Sequence, residues 1–385
     1  MKTYNWLVVG GGIVGSMLAY ELACQGFTVL LIEQHTELQG ATRYSYAGIA
    51  HWSGTDSDSQ QLCQRSLDRY RQLSTELDFD FELRELYVLL TVDQGADLDQ
   101  VLAQYASFVV QPEVLTPKAA QGLEPELNTA VLDAVLALPQ AHLAPTKLVQ
   151  GYQAALQRLG GTVQSAKVTH LQREGKQITG VETTVGPFAA QRVAIASGGL
   201  ARSLLHQEGI PMPLYFTQAE ILETQPTELT LNHIVMPAAQ QRSGLEARST
   251  QPDRESLWQQ PQTLIEPAIL DAGAVRFRGG HCRLGQISLT HSQPFVTVDR
   301  QQSEQQLRQA VGRVLPRFAT LPATWHQCLV SFCRDRKPLI GAVAEQPGLY
   351  CFTGFSNPFA SLPAFTQAFA AVMASRADAQ TQTLI

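Results

Sequence analysis

The first apolar run of the chain is short and continuous. Tyr4–Val9 has the β-branched, unalternating character of a strand buried on both faces. It leads into Gly10-x-Gly12-x-x-Gly15, and then into a helical stretch whose apolar positions include Leu18, Ala19, Leu22 and Ala23. Gly26 ends that helix, Thr28–Ile32 predicts a second buried strand, and Glu33 sits at its tip. A loop is predicted over Gln34–Ser53, and then a helix capped by Thr55 and running to Leu77, with Leu62, Leu67, Tyr70 and Leu73 as its stripe.

Phe81–Val92 reads as strand, Asp97–Ser107 as a polar helix, and Thr116-Pro117 as the start of another helix. Val131–Leu138 is strand-like. Pro145–Leu159 predicts a helix closed by Gly160-Gly161, and Val163–Thr169, Ile178–Thr184 and Arg192–Ala196 predict strands. Leu214–Leu289 is strand-rich, interrupted by a polar stretch without periodicity, Gly244–Gln262, expected to be a surface excursion. Ser303–Leu315 is helical, Cys328–Phe332 and Leu349–Phe352 are strands, and Ser361–Ser375 is a final helix. The opening strand–helix–strand unit is not repeated, and a strand–helix pair returns only at the end. That order predicts one domain visited three times.

Each residue of the opening unit has a physical role. Gly10 permits a tight turn, Gly12 lets backbone approach a pyrophosphate, and Gly15 lets the helix lie close to the sheet. The helix N-terminus offers free N–H groups and partial positive charge to phosphate. Glu33 is spaced to accept hydrogen bonds from ribose hydroxyls, and its charge would repel a 2′-phosphate. Together these predict dinucleotide binding.

Composition narrows the rest. A chain of 385 residues with 44% hydrophobic positions suits two intertwined domains. The net charge of −6 and pI near 5.9 argue against a nucleic-acid partner. No apolar run approaches a membrane span, and the first one reads as a strand rather than a signal sequence. Cysteines at 24, 63, 282, 328, 333 and 351 show no metal-ligand spacing and predict reduced thiols in a cytoplasmic protein.

The pattern resembles the FAD-dependent amine and amino-acid oxidases, the D-amino-acid oxidase superfamily that includes glycine oxidase and monomeric sarcosine oxidase. Four blocks carry the resemblance: Gly10–Glu33; Thr42-Arg43 with Ala47-Gly48, which looks like the family's loop over the flavin; Pro145–Gly161 followed by Val163–Gly199; and Asp335–Gly341 through Gly354-Phe355-Ser356. The third is similar to the helix, hairpin and small-residue turn against the adenosine half of FAD, which puts Val168, Ser197 and Gly198 at the cofactor. The fourth, with Asp335, is similar to the segment that brings a strand and a helix N-terminus to the isoalloxazine ring. Ser361, or Asn357 before Pro358, could cap that helix.

The resemblance implies an α/β protein. Its discontinuous Rossmann-like FAD-binding domain would comprise 1–80, 140–212 and 325–385, and its antiparallel-sheet substrate domain 81–139 and 213–324. It also implies oxidation of a C–N bond in a small amine or amino acid, by hydride transfer to flavin N5. Oxygen, a quinone or a carrier would then accept the electrons. Two alternatives stay open: a tRNA-modifying FAD oxidoreductase of the same fold, and a non-catalytic FAD-bound partner protein.

Single residues follow from the same resemblance. Cys328, seven residues before Asp335, has the spacing of a cysteine joined covalently to the flavin; the alternative is a small buried thiol. Arg43 falls where the sarcosine branch has an arginine beside the flavin, and the alternative is a surface arginine. Arg276, Arg278, His281 and Arg283 could bind a carboxylate but are expected to be mostly exposed. The chain departs from the family at Asn357, Pro358 and Phe359, where glycines are usual. Ser361 stands in place of a substrate-binding lysine, and Tyr46 in place of a second arginine. The usual carboxylate clamp is therefore not recognisable.

Overall fold

Burial on both faces explains why the first strands read as continuous apolar runs. The structure, a computed structural model, describes residues 3–382. Thr3–Val9 and Val29–Glu33 lie parallel, with Trp6 opposite Val29 and Val9 opposite Ile32. They sit in a sheet that has eight strands among the described residues. Its main order is Leu339–Ala342, Leu349–Thr353, Phe188–Ile195, Thr3–Val9, Val29–Glu33 and Thr162–Ser165. These pair in parallel except for Leu339–Ala342, which runs antiparallel to its neighbour. A hairpin, Val168–Glu174 with Gln177–Thr183, branches from the start of Phe188–Ile195.

Helices Ile13–Cys24, Ser57–Glu76, Pro145–Arg158 and Pro358–Gln382 bury their apolar stripes together on one side of this sheet, around Trp6, Tyr70, Tyr152 and Phe369. On the other side Leu171, Ile178 and Val181 of the hairpin pack on Leu7, Leu30 and Ile195. The sheet is thus drawn from three separate stretches of chain.

A second sheet has nine strands among the described residues. Ala323–Cys333, Leu214–Thr224, Cys282–His291 and Leu264–Arg276 form its long antiparallel part, continued by Ile234–Pro237, Arg84–Asp93, Leu132–His142 and the short Gly48–Ile49. Leu222, Ala274 and Leu284 point to its back, where Leu307 and Val311 of helix Arg300–Val314 cover them. Glu223 and Arg283, the next pair along this ladder, are opposite one another and, by the alternation of the strands, point the other way.

Several sequence expectations shift. The long helix is capped by Asp56 rather than Thr55, because Asp56 and Ser59 close a reciprocal capping box. Asp97 caps a shorter helix, Leu98–Ala103. Residues 40–44, expected as loop, form a short helix. Val163–Thr169 divides between the end of one strand and the start of the hairpin. The polar stretch 244–262 is not a surface excursion: it contains helix Gln241–Ser249 and the turns Pro252–Glu255 and Ser256–Gln259. Trp258 anchors it, its indole N–H donating to the Ser249 carbonyl, while the Ser249 and Thr290 hydroxyls share a hydrogen bond of 2.7 Å. The final helix starts at Pro358, so Ser361 lies inside it and does not cap it.

A Cβ on Gly15 would overlap the carbonyl oxygen of Gly10, and nothing flexible stands between them. Gly122, in helix Pro117–Leu123, faces open space. Gly15→Ala is expected to lower stability by about 3 kcal/mol or more in urea denaturation. Gly122→Ala is expected to raise it by up to about 1 kcal/mol.

Candidate functional site

The glycine turn is built for close approach. Gly10 has φ +108°, and a Cβ there would meet the Ala196 carbonyl oxygen at 2.7 Å and the Ser197 Cα at 2.8 Å. Helix Ile13–Cys24 starts at Gly12 with no side-chain cap of its own. The Thr42 hydroxyl reaches across to it and accepts from the Ile13 N–H at 3.1 Å. The Glu33 carboxylate accepts from the Gly11 N–H at 2.7 Å and from the His35 N–H at 3.0 Å. Below it opens a cavity of about 570 Å³ whose lining includes Gly11, Glu33, Leu38, Arg43, Gln153 and Val163.

Val168 begins the hairpin, half-buried against the cluster that contains Ile32 and Ile195. Ser197 and Gly198 follow strand Phe188–Ile195. The Ser197 hydroxyl is buried without a hydrogen-bond partner among the described residues, and Gly198 turns with φ +55°. The structure therefore brings Gly10, Gly12, Gly15, Glu33, Thr42 and Ser197 together at one end of the first sheet.

Arg43 leaves this group and reaches the second sheet. Its guanidinium is bidentate on Glu223, both contacts at 2.6 Å. Arg283 binds the same carboxylate at 3.1 Å and also donates to the Ser45 carbonyl. The Tyr46 hydroxyl donates to the Gly285 carbonyl at 2.6 Å, and Tyr44 stacks on His326 with ring centroids 4.4 Å apart. Residues 43–46 are thus clasped to the sheet, and Gly48 continues into it opposite His142. Burial alone would raise the Glu223 pKa, but hydrogen bonds from Arg43 and the charge of Arg283 bring it down to about 2. Burial lowers that of Arg283 to about 10. Arg283 is 2% exposed, against the expectation that its group lies at the surface. Arg278 is exposed and Arg276 half-buried.

At the C-terminal side, Gly354 turns with φ +83°, and a Cβ there would overlap the Cys333 sulfur. Phe355 is buried against Phe352, and Ser356 follows. The unexpected Phe359 is also buried, in the core around Phe352 and Leu362, with Pro358 as the first helical residue. Cys328 lies opposite Ala219, buried, and that burial pushes its thiol up to about 12. Asp335 falls in the turn Arg334–Arg336, and its side chain lies outside the described residues.

Three further residues were not apparent as site residues. Arg242 donates to the Ser356 carbonyl at 3.1 Å, and the Ser356 hydroxyl donates to Glu246 at 2.8 Å. Asp271, on strand Leu264–Arg276, has its pKa raised by burial to about 6. The one sequence signal was Asp271 itself, an acid set among Leu270, Ala272 and Ala274.

Removing the shared carboxylate isolates a buried cation. Glu223→Gln is expected to cost about 3 kcal/mol in urea denaturation at pH 7. The depressed Glu223 pKa means that its stabilising contribution is present in full above its unfolded value and is lost as pH falls towards about 2. The difference between wild type and variant should accordingly shrink in acid.

Residues 5–372 match the DAO family, FAD dependent oxidoreductase. Sarcosine oxidase subunit beta of an Arthrobacter species is 26% identical over 261 residues, 63% of this chain and 64% of that subunit's length. Glycine oxidase of Pseudomonas aeruginosa is 25% identical over 392 residues, covering 96% of this chain and 94% of that one. The crystal structure of glycine oxidase from Geobacillus kaustophilus superposes with a TM-score of 0.78 at 20% identity, over 98% of this chain and 95% of the other. Gly10, approached by the Ser197 backbone, the unpartnered Ser197 hydroxyl and the cavity beneath Glu33 fit a dinucleotide such as FAD. The chain belongs to the DAO family and is an FAD-dependent oxidoreductase of the glycine- and sarcosine-oxidase type of fold.

Proposed function

We propose that this enzyme oxidises a C–N bond of a small amine or amino acid. Bound FAD supplies the two-electron acceptor. Gly10, Gly12, Gly15, Thr42, Glu33, Val168, Ser197 and Gly198 would hold its nucleotide half, and Gly48 and residues 354–356 would lie towards its ring.

The observation that carries this reading is the split polarity of the groups around residues 43–46. Arg43 and Arg283 share one carboxylate, Glu223, and so keep one positive charge in excess. That excess suits a carboxylate, or negative charge developing nearby. Arg43 is the residue assigned this role, with Arg283 and Glu223 positioning it. Glu246 is ion-paired with Arg242 at 3.6 Å, and the charge of Arg242 also acts on the buried Asp271. Asp271 and Arg283 both act electrostatically on the buried Tyr46, which supports a site with charges of both signs. A positive half beside a negative half suits an amino acid better than an alcohol phosphate. Glycine oxidase and the sarcosine oxidase subunit, by their names, support the same reading. On this account the clamp missing at Ser361 and Tyr46 is supplied from the second sheet.

The test is a panel of amines, amino acids and hydroxy acids with an electron-accepting dye, scored for both dye reduction and carbonyl product. Oxidation of a nitrogenous compound, with ammonia or alkylamine released one for one, is expected. Turnover of hydroxy compounds alone would contradict the reading.

A further inference from the structure

We infer that the cleft between helix Ala201–Gln207 and the turn carrying Trp258 binds a phosphate group; this goes beyond the flavin reaction and does not rest on it. The cleft has a volume of about 170 Å³, and its lining includes Arg202, Ser203, His206, Phe216, Trp258 and Ser292. It shares no lining residue with the cavity beneath Glu33.

Arg202 carries the argument. Three arginines are buried among the described residues, Arg69, Arg202 and Arg283. Arg69 is paired with Glu21 and Glu76, and Arg283 with Glu223. Arg202, 8% exposed, has no ion pair among the described residues. Its terminal nitrogens donate to the carbonyls of Leu214 at 2.9 Å and Trp258 at 3.3 Å. Its guanidinium also lies over the Tyr215 and Trp258 rings, 5.4 and 5.3 Å from their centroids. These contacts leave its charge and its remaining N–H donors uncommitted. Glu255 acts on it at a distance, but that carboxylate is held by the Tyr215 hydroxyl and by Arg334. A buried guanidinium without a counter-ion is costly, and a neutral side chain could bond the same two carbonyls more cheaply.

The rest of the cleft supplies donors and no competing charge. No Asp or Glu lines it. The Ser203 hydroxyl has no hydrogen-bond partner among the described residues. The Ser292 hydroxyl accepts from the Thr263 N–H at 2.9 Å and keeps its own proton to give. His206 Nε2 is hydrogen-bonded to the Gln259 amide oxygen at 2.9 Å, which holds the ring at the cleft. Donors thus reach the cleft from the helix, from the end of strand Cys282–His291 and from the buried side. A tetrahedral oxyanion uses donors from several directions, whereas a planar carboxylate is matched by the guanidinium fork alone. The volume is that of about six waters at about 30 Å³ each, which suits a phosphate group and little more. Bound there, it would tie the helix that follows the Ser197-Gly198 turn to Ser292 and the Trp258 turn.

Isothermal titration calorimetry of the FAD-loaded enzyme with sodium phosphate and with sodium acetate, at neutral pH and constant ionic strength, tests this. Phosphate is expected to bind saturably, one per chain and at least about tenfold more tightly than acetate. Arg202→Gln should abolish that binding. Because Arg202 also holds two carbonyls and this variant can misfold, Ser203→Ala combined with Ser292→Ala gives a second arm. The double variant should weaken phosphate at least about tenfold, with melting temperature and flavin content retained. Absence of saturable phosphate binding up to about 10 mM in the wild type would overturn the inference. So would an unchanged affinity in the folded double variant, or acetate bound as tightly as phosphate. Bleaching of the flavin by amines bears on the proposed reaction alone, so the two readings fail separately.

Discussion

Everything between the two sheets depends on one carboxylate. Glu223 receives Arg43 from the short helix 40–44 and Arg283 from the neighbouring strand, and among the described residues it is the one carboxylate that both guanidiniums share. Without it Arg283, almost wholly buried, would sit uncompensated, and the two cations would repel. With it, the chain from Arg43 to Gly48 is drawn onto the second sheet while Thr42, one residue earlier, stays at the glycine-turn helix. The loop is thereby stretched between the glycine turn of the first sheet and the second sheet. Tyr46 on Gly285 and Tyr44 on His326 reinforce that clasp without adding charge.

The clasp also organises the electrostatics. An enzyme with a net charge of −6 has set a local positive excess at Arg43 and Arg283, while it buries Glu246 beside Ser356 and Asp271 on strand Leu264–Arg276. Such a division is costly to bury and is not explained by stability, since apolar residues of the same volume would pack more cheaply. On the proposed reading it serves recognition of a molecule with charges of both signs. Burial raises Asp271 to about 6, whereas Arg43 and Arg283 hold Glu223 down at about 2, so the same chemical type of side chain titrates differently within one sheet.

Local signals in the sequence carried much of the fold. The strand, glycine turn, helix, strand and acid of residues 3–33 all lie within one supersecondary unit, where periodicity and glycine spacing are direct consequences of packing. Thr42 and Ser197 became visible through a resemblance, and the structure sets both against the glycine turn. Long-range charge pairing left no such trace: Arg43 and Glu223 are 180 residues apart, and Glu223 reads as an ordinary alternating position in its strand. Arg283 was expected at the surface because a cluster of arginines usually is. Helix 241–249 was missed because its buried side is mostly polar, with Leu245 beside Glu246 and Ser249, and so shows no apolar stripe. Glu246, on that helix, is hidden for the same reason, whereas Asp271 stands out among the apolar residues of its strand.

The most direct measurement is the visible spectrum of the purified enzyme under anaerobic conditions during titration with amines and amino acids. Loss of the oxidised flavin band on addition of a nitrogenous compound, restored when an electron acceptor is admitted, is the predicted result. A flavin band that dithionite bleaches but no amine or amino acid does would contradict the account.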